Sequence, residues 1–323
     1  MKERIVELDF VKGVLITLMV LCHLTLFMVT YEAFVSWVYC FHMSGFLLIS
    51  GYLQNMNKYK SQGMAKAVRG ILLPYLVFEA LYVVAIALIG GYMGSNNQSS
   101  LALASLANYL LINPIGTYWY LHTLFICAVV SYLVSLGKLN AFSALLLSAS
   151  VLFCLTLFIE GLQWANVIYF VIGSFMQRMD FKFKQFVVPS LVAIVPVALV
   201  TVFGTNVGGG ETLSGVALTL CMISLQMGIF AYMPQAIRRL FMYVGRNSLA
   251  AVLFSPIFSV LAKKYTSLFT FDTTHLLWSF TSLVLVMALC LLAAWLCDKT
   301  RLPSCLMGTN IYRKFTSTTD IYF

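Results

Sequence analysis

The hydrophobic positions of this chain fall in long, nearly unbroken runs. They do not alternate as in a half-buried strand, and they lack the polar stripe of a surface helix. A helix needs about 20 apolar residues to cross a bilayer. Ten runs approach that length: residues 10–30, 35–53, 71–93, 118–136, 142–162, 167–179, 186–204, 213–233, 249–262 and 276–297. The sixth and ninth are short, so either flanking residues lengthen them or they enter the bilayer without crossing it. Residues 99–112 are too few to span and read as an interfacial helix or a loop. The pattern predicts an all-α fold: a polytopic membrane helical bundle of about ten transmembrane helices. It forms a single domain over residues 1–323, with a short cytoplasmic tail at 298–323.

Composition supports this reading. The 323 residues are 61% hydrophobic and 10% charged, whereas a soluble chain is roughly 25% charged. A net charge of +9 would suggest a nucleic-acid partner in a soluble protein. Here the basic residues lie in short loops, so the lipid bilayer is the expected partner and nucleic acid is not. Lys2, Arg4, Lys58, Lys60, Lys66, Arg69, Lys138, Arg178, Lys182, Lys184, Arg238, Arg239, Arg246 and the basic residues after 298 all fall on one side of a ten-span alternation. Only Lys263 and Lys264 fall on the other side. The positive-inside rule then puts both termini in the cytoplasm and the glycine-rich turn at 206–210 outside. The first run lacks a small-residue cleavage site and is expected to stay as a helix. None of the eight cysteines forms a CxxC pair. They read as small core- or lipid-facing residues, with no metal site expected.

Several polar groups interrupt the apolar runs, and a bilayer-spanning helix tolerates these only toward a bundle interior or an aqueous cavity. The first run contains Asp9, Lys12 and His23. Lys12 and His23 are eleven positions apart, which puts them on nearly one helical face about 16 Å apart along the axis. His42 lies in the second run and Glu79 in the third, just after Pro74. Trp119, Tyr120 and His122 open the fourth, where aromatic residues ordinarily anchor a helix at the interface. A histidine can take a proton from an attacking hydroxyl near neutral pH, whereas an unperturbed lysine stays protonated. His23 is therefore the candidate general base. Glu79 needs a proton, a hydrogen bond or a cation, and it is the candidate to orient the imidazole.

Five stretches carry a family resemblance: DFVKGVLITLMVLCH, FHMSGFLLISGY, KAVRGILLPY, and the later pair GTYWYLHTLF and GRNSLAAVLF. In order and spacing they resemble the acyltransferase family 3 membrane proteins, which O-acylate surface carbohydrates. The branch they look most like holds the fucose 4-O-acetylase-like and enterobacterial common antigen O-acetyltransferase-like proteins. Lys12 stands where many members have Arg, and Lys66 replaces the first Arg of a basic pair. Ser44 replaces a Pro, and Ser255–Pro256 stand where many members have a histidine.

The resemblance implies a membrane O-acyltransferase in the bacterial inner membrane. It implies cytoplasmic acetyl-CoA or another acyl-CoA as donor substrate, with no permanently bound cofactor. The acceptor is a carbohydrate, either a surface or a lipid-linked glycan. Catalysis is expected of His23 with Lys12 and Glu79. The donor's phosphates are expected at Lys66, Arg69 and Lys12, and the acceptor at His42, Trp119, Tyr120 and His122. The rival expectation is a polysaccharide or lipid-linked glycan transporter, since buried His, Glu and Lys also build proton relays.

Overall fold

The computed structural model describes residues 5–54, 64–92, 103–203, 212–300 and 311–312. Every regular element among them is helical. Among the described residues, six segments are long and apolar enough to cross a membrane: Glu32–Leu53, Val68–Ala85, Ala107–Leu136, Leu213–Tyr232, Ser248–Phe269 and Leu276–Lys299. Lys2, Arg4, Lys58, Lys60, Arg301, Arg313, Lys314 and the turn at 206–210 lie outside the described residues.

The first two runs differ from the expectation of one uninterrupted helix each. The first divides into α1 (Val6–Cys22) and α2 (Thr25–Thr30), with His23 and Leu24 between them. The second divides into α3 (Glu32–Tyr39) and α4 (His42–Leu53), with Cys40 and Phe41 between them. Neither break holds a proline or glycine, the usual helix breakers. At the first, the His23 side chain takes the Met19 carbonyl, and Leu24 turns to an extended conformation. At the second, the His42 side chain takes the Val38 carbonyl in the same way. Side-chain capture of a backbone acceptor competes with the helical ladder.

The third run enters through a single π-helical turn, Val68–Leu72, and continues as α5 (Leu73–Tyr92). Pro74 stands two residues after that turn, and its missing N–H accounts for the widened ladder. Next come α6 (Leu103–Leu111), α7 (Trp119–Leu136), α8 (Ala141–Thr156), α9 (Trp164–Arg178), α10 (Ile194–Phe203) and α11 (Leu213–Tyr232). A strongly amphipathic helix, α12 (Gln235–Arg246), occupies what the hydrophobic pattern left as a loop. The chain ends in α13 (Ser248–Ala262) and α14 (Leu276–Lys299). Asp272 anchors the start of α14, accepting from the backbone N–H of Leu277 at 2.7 Å and of Trp278 at 3.3 Å. The Thr274 hydroxyl and those backbone donors hold its carboxyl below the usual carboxylate range.

Lipid is as apolar as leucine, so burial alone does little to pair helices, and close approach at small residues takes over. α1 illustrates this at the centre of the molecule, where it packs against α12, α4, α11, α13 and α14. A Cβ on Gly13 would collide with the Phe241 carbonyl, and one on Gly245 with the Asp9 carbonyl. α4 meets α9 equally closely, with Gly51 against Phe170 and Gly173 against Leu48.

Candidate active site

The two helix breaks face each other. His23 ends α1, and His42 begins α4. Between them lies Tyr39, the last residue of α3. The Tyr39 ring centroid is 5.9 Å from that of His23, and it stacks on His42 at 5.2 Å. The Tyr39 hydroxyl donates to the Cys22 carbonyl at 3.3 Å, closing the frayed end of α1. Tyr39 is exposed, while His42 is buried and His23 half-buried. The sequence does not mark Tyr39, because nothing in a run of aliphatic and aromatic residues singles out the one that meets both imidazoles.

The hydrogen bonds fix the tautomers. His23 Nδ1 lies 2.7 Å from the Met19 carbonyl, and His42 Nδ1 lies 2.9 Å from the Val38 carbonyl. A carbonyl only accepts, so each Nδ1 carries the hydrogen and each Nε2 keeps its lone pair. His42 Nε2 is buried without a hydrogen-bond partner, and no described residue bonds His23 Nε2. Each neutral ring thus keeps Nε2 as an unused hydrogen-bond acceptor.

Lys12 does not touch His23. Its Nζ lies 3.0 Å from Asp9, whose other oxygen faces Arg246 Nε at 3.6 Å. The cluster of two cations and one carboxylate sits where Gly245 lets α12 approach α1. Arg246 went unassigned in the sequence reading because α12 looked like a loop that served only topology. Arg69 lies exposed in the π turn before α5. The Lys66 side chain lies outside the described residues.

Glu79 and His122 support a different region. Glu79 is fully buried, and its Oε1 accepts from the Ile115 backbone N–H at 2.7 Å. No described hydrogen bond or ion pair joins it to His23, so here the carboxylate orients a loop, not the imidazole. His122 Nε2 donates to the Leu111 carbonyl at 3.1 Å. The Tyr75 hydroxyl donates to the neighbouring Leu110 carbonyl at 2.9 Å. Together they satisfy carbonyls that the end of α6 leaves unpaired. Glu79→Ala removes the partner of a half-buried N–H, at a cost of about 1–3 kcal/mol. Glu79→Gln keeps an acceptor oxygen there. In a thermal melt of the detergent-solubilised protein, the alanine variant is expected to fall several degrees and the glutamine variant to stay near the parent.

Tyr120 is buried, contrary to the expectation of an interfacial anchor. Its hydroxyl pairs with Ser50 at 2.9 Å, and its ring meets Phe46 edge-on at 5.8 Å. The neighbouring Tyr118 and Thr117 bond the Leu253 and Val252 carbonyls of α13. These bonds draw the start of α7 into the protein. Trp119 is half-buried beside Tyr120, with ring centroids 6.5 Å apart.

Comparison with known proteins fits this arrangement. The acyltransferase family 3 model, described as an acyltransferase domain, matches residues 5–295. The nodulation protein NolL of Mesorhizobium japonicum (strain LMG 29417 / CECT 9101 / MAFF 303099) is 30% identical over 158 residues, covering 46% of this chain and 40% of that protein. The match therefore spans less than half the length of that relative. No solved structure matches at a significant level. A family match across both histidine-bearing breaks and on into α14, with six membrane-length apolar segments among the described residues, shows that the chain belongs to acyltransferase family 3, the family of membrane acyltransferases.

Proposed function

We propose that this protein moves an acetyl or other short acyl group from cytoplasmic acyl-CoA to a hydroxyl of a surface or lipid-linked glycan. The proposal includes a bacterial inner-membrane location, about ten membrane passes and both termini in the cytoplasm. The observation that carries it is the pair of imidazoles around Tyr39, each with Nδ1 fixed and Nε2 free to accept.

In this reading His23 Nε2 takes the proton of the acceptor hydroxyl as its oxygen attacks the thioester carbonyl. The tetrahedral intermediate then expels the CoA thiolate, which regains a proton from the imidazolium. The products are the ester and free CoA thiol. The Met19 carbonyl holds Nδ1–H throughout, so the ring need not turn between steps. His42 supplies a second acceptor beside Tyr39 and holds the sugar hydroxyl in line. Arg246 and Lys12, tied through Asp9, join Lys66 and Arg69 as cations for the donor's phosphates on the cytoplasmic side.

Membranes carrying the protein, given acetyl-CoA labelled in its acetyl group and a lipid-linked glycan, test the reading directly. Label is expected to move to the glycan, with CoA released in equal amount. Glycan that crosses the bilayer unlabelled would replace the enzyme by a transporter.

A further inference from the structure

Helix α12 is held from two sides. Its Gly245 lies against Asp9 and Gly13 of α1. Its Tyr243 hydroxyl donates to the Tyr312 hydroxyl at 2.8 Å, and the two rings meet edge-on at 6.3 Å. Tyr312 is fixed in turn by Asp298, near the end of α14. Each oxygen of that carboxylate accepts one backbone N–H, from Ile311 at 2.9 Å and from Tyr312 at 2.7 Å. Hydrogen bonds to an ionised acceptor are the stronger kind, and these two donors belong to no helix that would otherwise satisfy them. Ile311 is buried in the hydrophobic core, and Tyr312 packs half-buried against it. α12 packs on α1 and α13, and residues 311 and 312 tie it to α14 as well.

Successive residues of a helix turn by about 100°. Tyr243 and Gly245 therefore project about 160° apart, on nearly opposite sides of α12. Arg246 projects between them, about 60° from Tyr243 and about 100° from Gly245, and its Nε faces Asp9 at 3.6 Å. A contact at Gly245 alone leaves α12 free to roll about that point, which swings Arg246 away from Asp9. A second contact on the far side fixes the roll. We propose that Asp298, Ile311 and Tyr312 form a clasp that sets the rotation of α12 and so positions Arg246 beside Asp9. Asp298 and Tyr312 are positioning residues, because they act through Arg246 and touch no substrate. Their effect on the reaction rests on the reading above, in which Arg246 is one of the cations for the donor's phosphates.

Two variants open the clasp at different points. Asp298→Asn puts an NH2 group where one carboxylate oxygen accepted a backbone N–H, so donor meets donor. Tyr312→Phe keeps the ring and removes the hydroxyl pair, and it carries the test alone should Asp298→Asn fail to fold. Hydrogen exchange of the detergent-solubilised protein, followed by mass spectrometry, reads the clasp directly. Exchange across α12 is expected to rise about tenfold in Asp298→Asn and about fivefold in Tyr312→Phe, with α4 unchanged. Steady-state kinetics reads the consequence. KM for acetyl-CoA is expected to rise about fivefold with kcat nearly unchanged, while KM for the acetyl thioester of N-acetylcysteamine, which has no phosphate, holds. In an Arg246→Gln background, Tyr312→Phe is expected to raise KM for acetyl-CoA no further, because the residue it positions is gone. Unchanged exchange in α12 overturns the clasp. Raised exchange with an unchanged KM for acetyl-CoA, or a further rise in the Arg246→Gln background, overturns the positioning role. A parent protein that transfers acetyl from neither donor overturns the acyl-CoA reading and the positioning role with it, whereas the exchange result still decides the clasp.

Discussion

His23→Ala is expected to slow acyl transfer by a factor of about 10²–10⁴, the usual contribution of a positioned general base. That equals about 2.7–5.4 kcal/mol of transition-state stabilisation. The loss should fall on kcat, with KM for the donor nearly unchanged, because the proton transfer occurs only as the hydroxyl attacks. The protein should still fold. His23 is half-buried at a helix end, and its one fixed hydrogen bond is to a carbonyl that also accepts the His23 backbone N–H at 3.2 Å. Steady-state kinetics on purified protein of verified fold decide the matter. Full activity in the alanine variant would remove the base from the mechanism. Partial recovery with added imidazole, seen in the alanine variant and absent from the parent, would tie the loss to the missing ring.

Gly245→Ala is the second large effect, and it acts on the scaffold. A Cβ there collides with the Asp9 carbonyl and crowds the Gly13 N–H. Both belong to α1, which is buried against five other helices, so neither helix can shift without disturbing the rest. Overpacking of this kind costs about 1–3 kcal/mol, and it opposes a gain of about 1 kcal/mol from replacing glycine within a helix. Gly70→Ala is the matched control, since nothing lies within 4 Å of its added Cβ. In thermal melts, Gly245→Ala should fall by several degrees and Gly70→Ala should hold or rise. Equal behaviour of the two would mean that α1 and α12 are not locked together at Gly245. Because Asp9 and Arg246 meet beside this contact, the Gly245 variant should also lose activity in proportion to the displacement of that pair.

The helical class was legible from hydrophobicity alone. Runs of about 20 apolar residues have one way to satisfy their backbone in lipid, and every run contains helix in the structure. The polar positions inside those runs were equally visible, for the same reason: lipid penalises them wherever they face. Which of them meet was not visible. Lys12 and His23 share a face on a straight helix, yet Lys12 turns to Asp9, which Arg246 also reaches, while His23 turns to Tyr39, whose ring stacks on His42. Glu79, the candidate to orient the imidazole, holds the Ile115 N–H. Helix α12 was missed because its alternation of charged and apolar positions spans only twelve residues, too few to cross and easily taken for a basic loop.

The sequence by itself determined an all-α chain with long apolar runs, the residues that lipid would not leave unpartnered, and a first-helix pattern shared with a family of acyltransferases. Tertiary structure alone decided where those runs break. No proline or glycine marks the interruptions at His23 and His42. They arise because each imidazole competes for a carbonyl one turn back, and because the Tyr39 hydroxyl and ring, brought from another helix, fill the space the break opens. Local propensity favours continuing the helix through both points. Only contacts between segments distant along the helical path overcome it, and those contacts bring two imidazoles to within 5.9 Å of one aromatic ring.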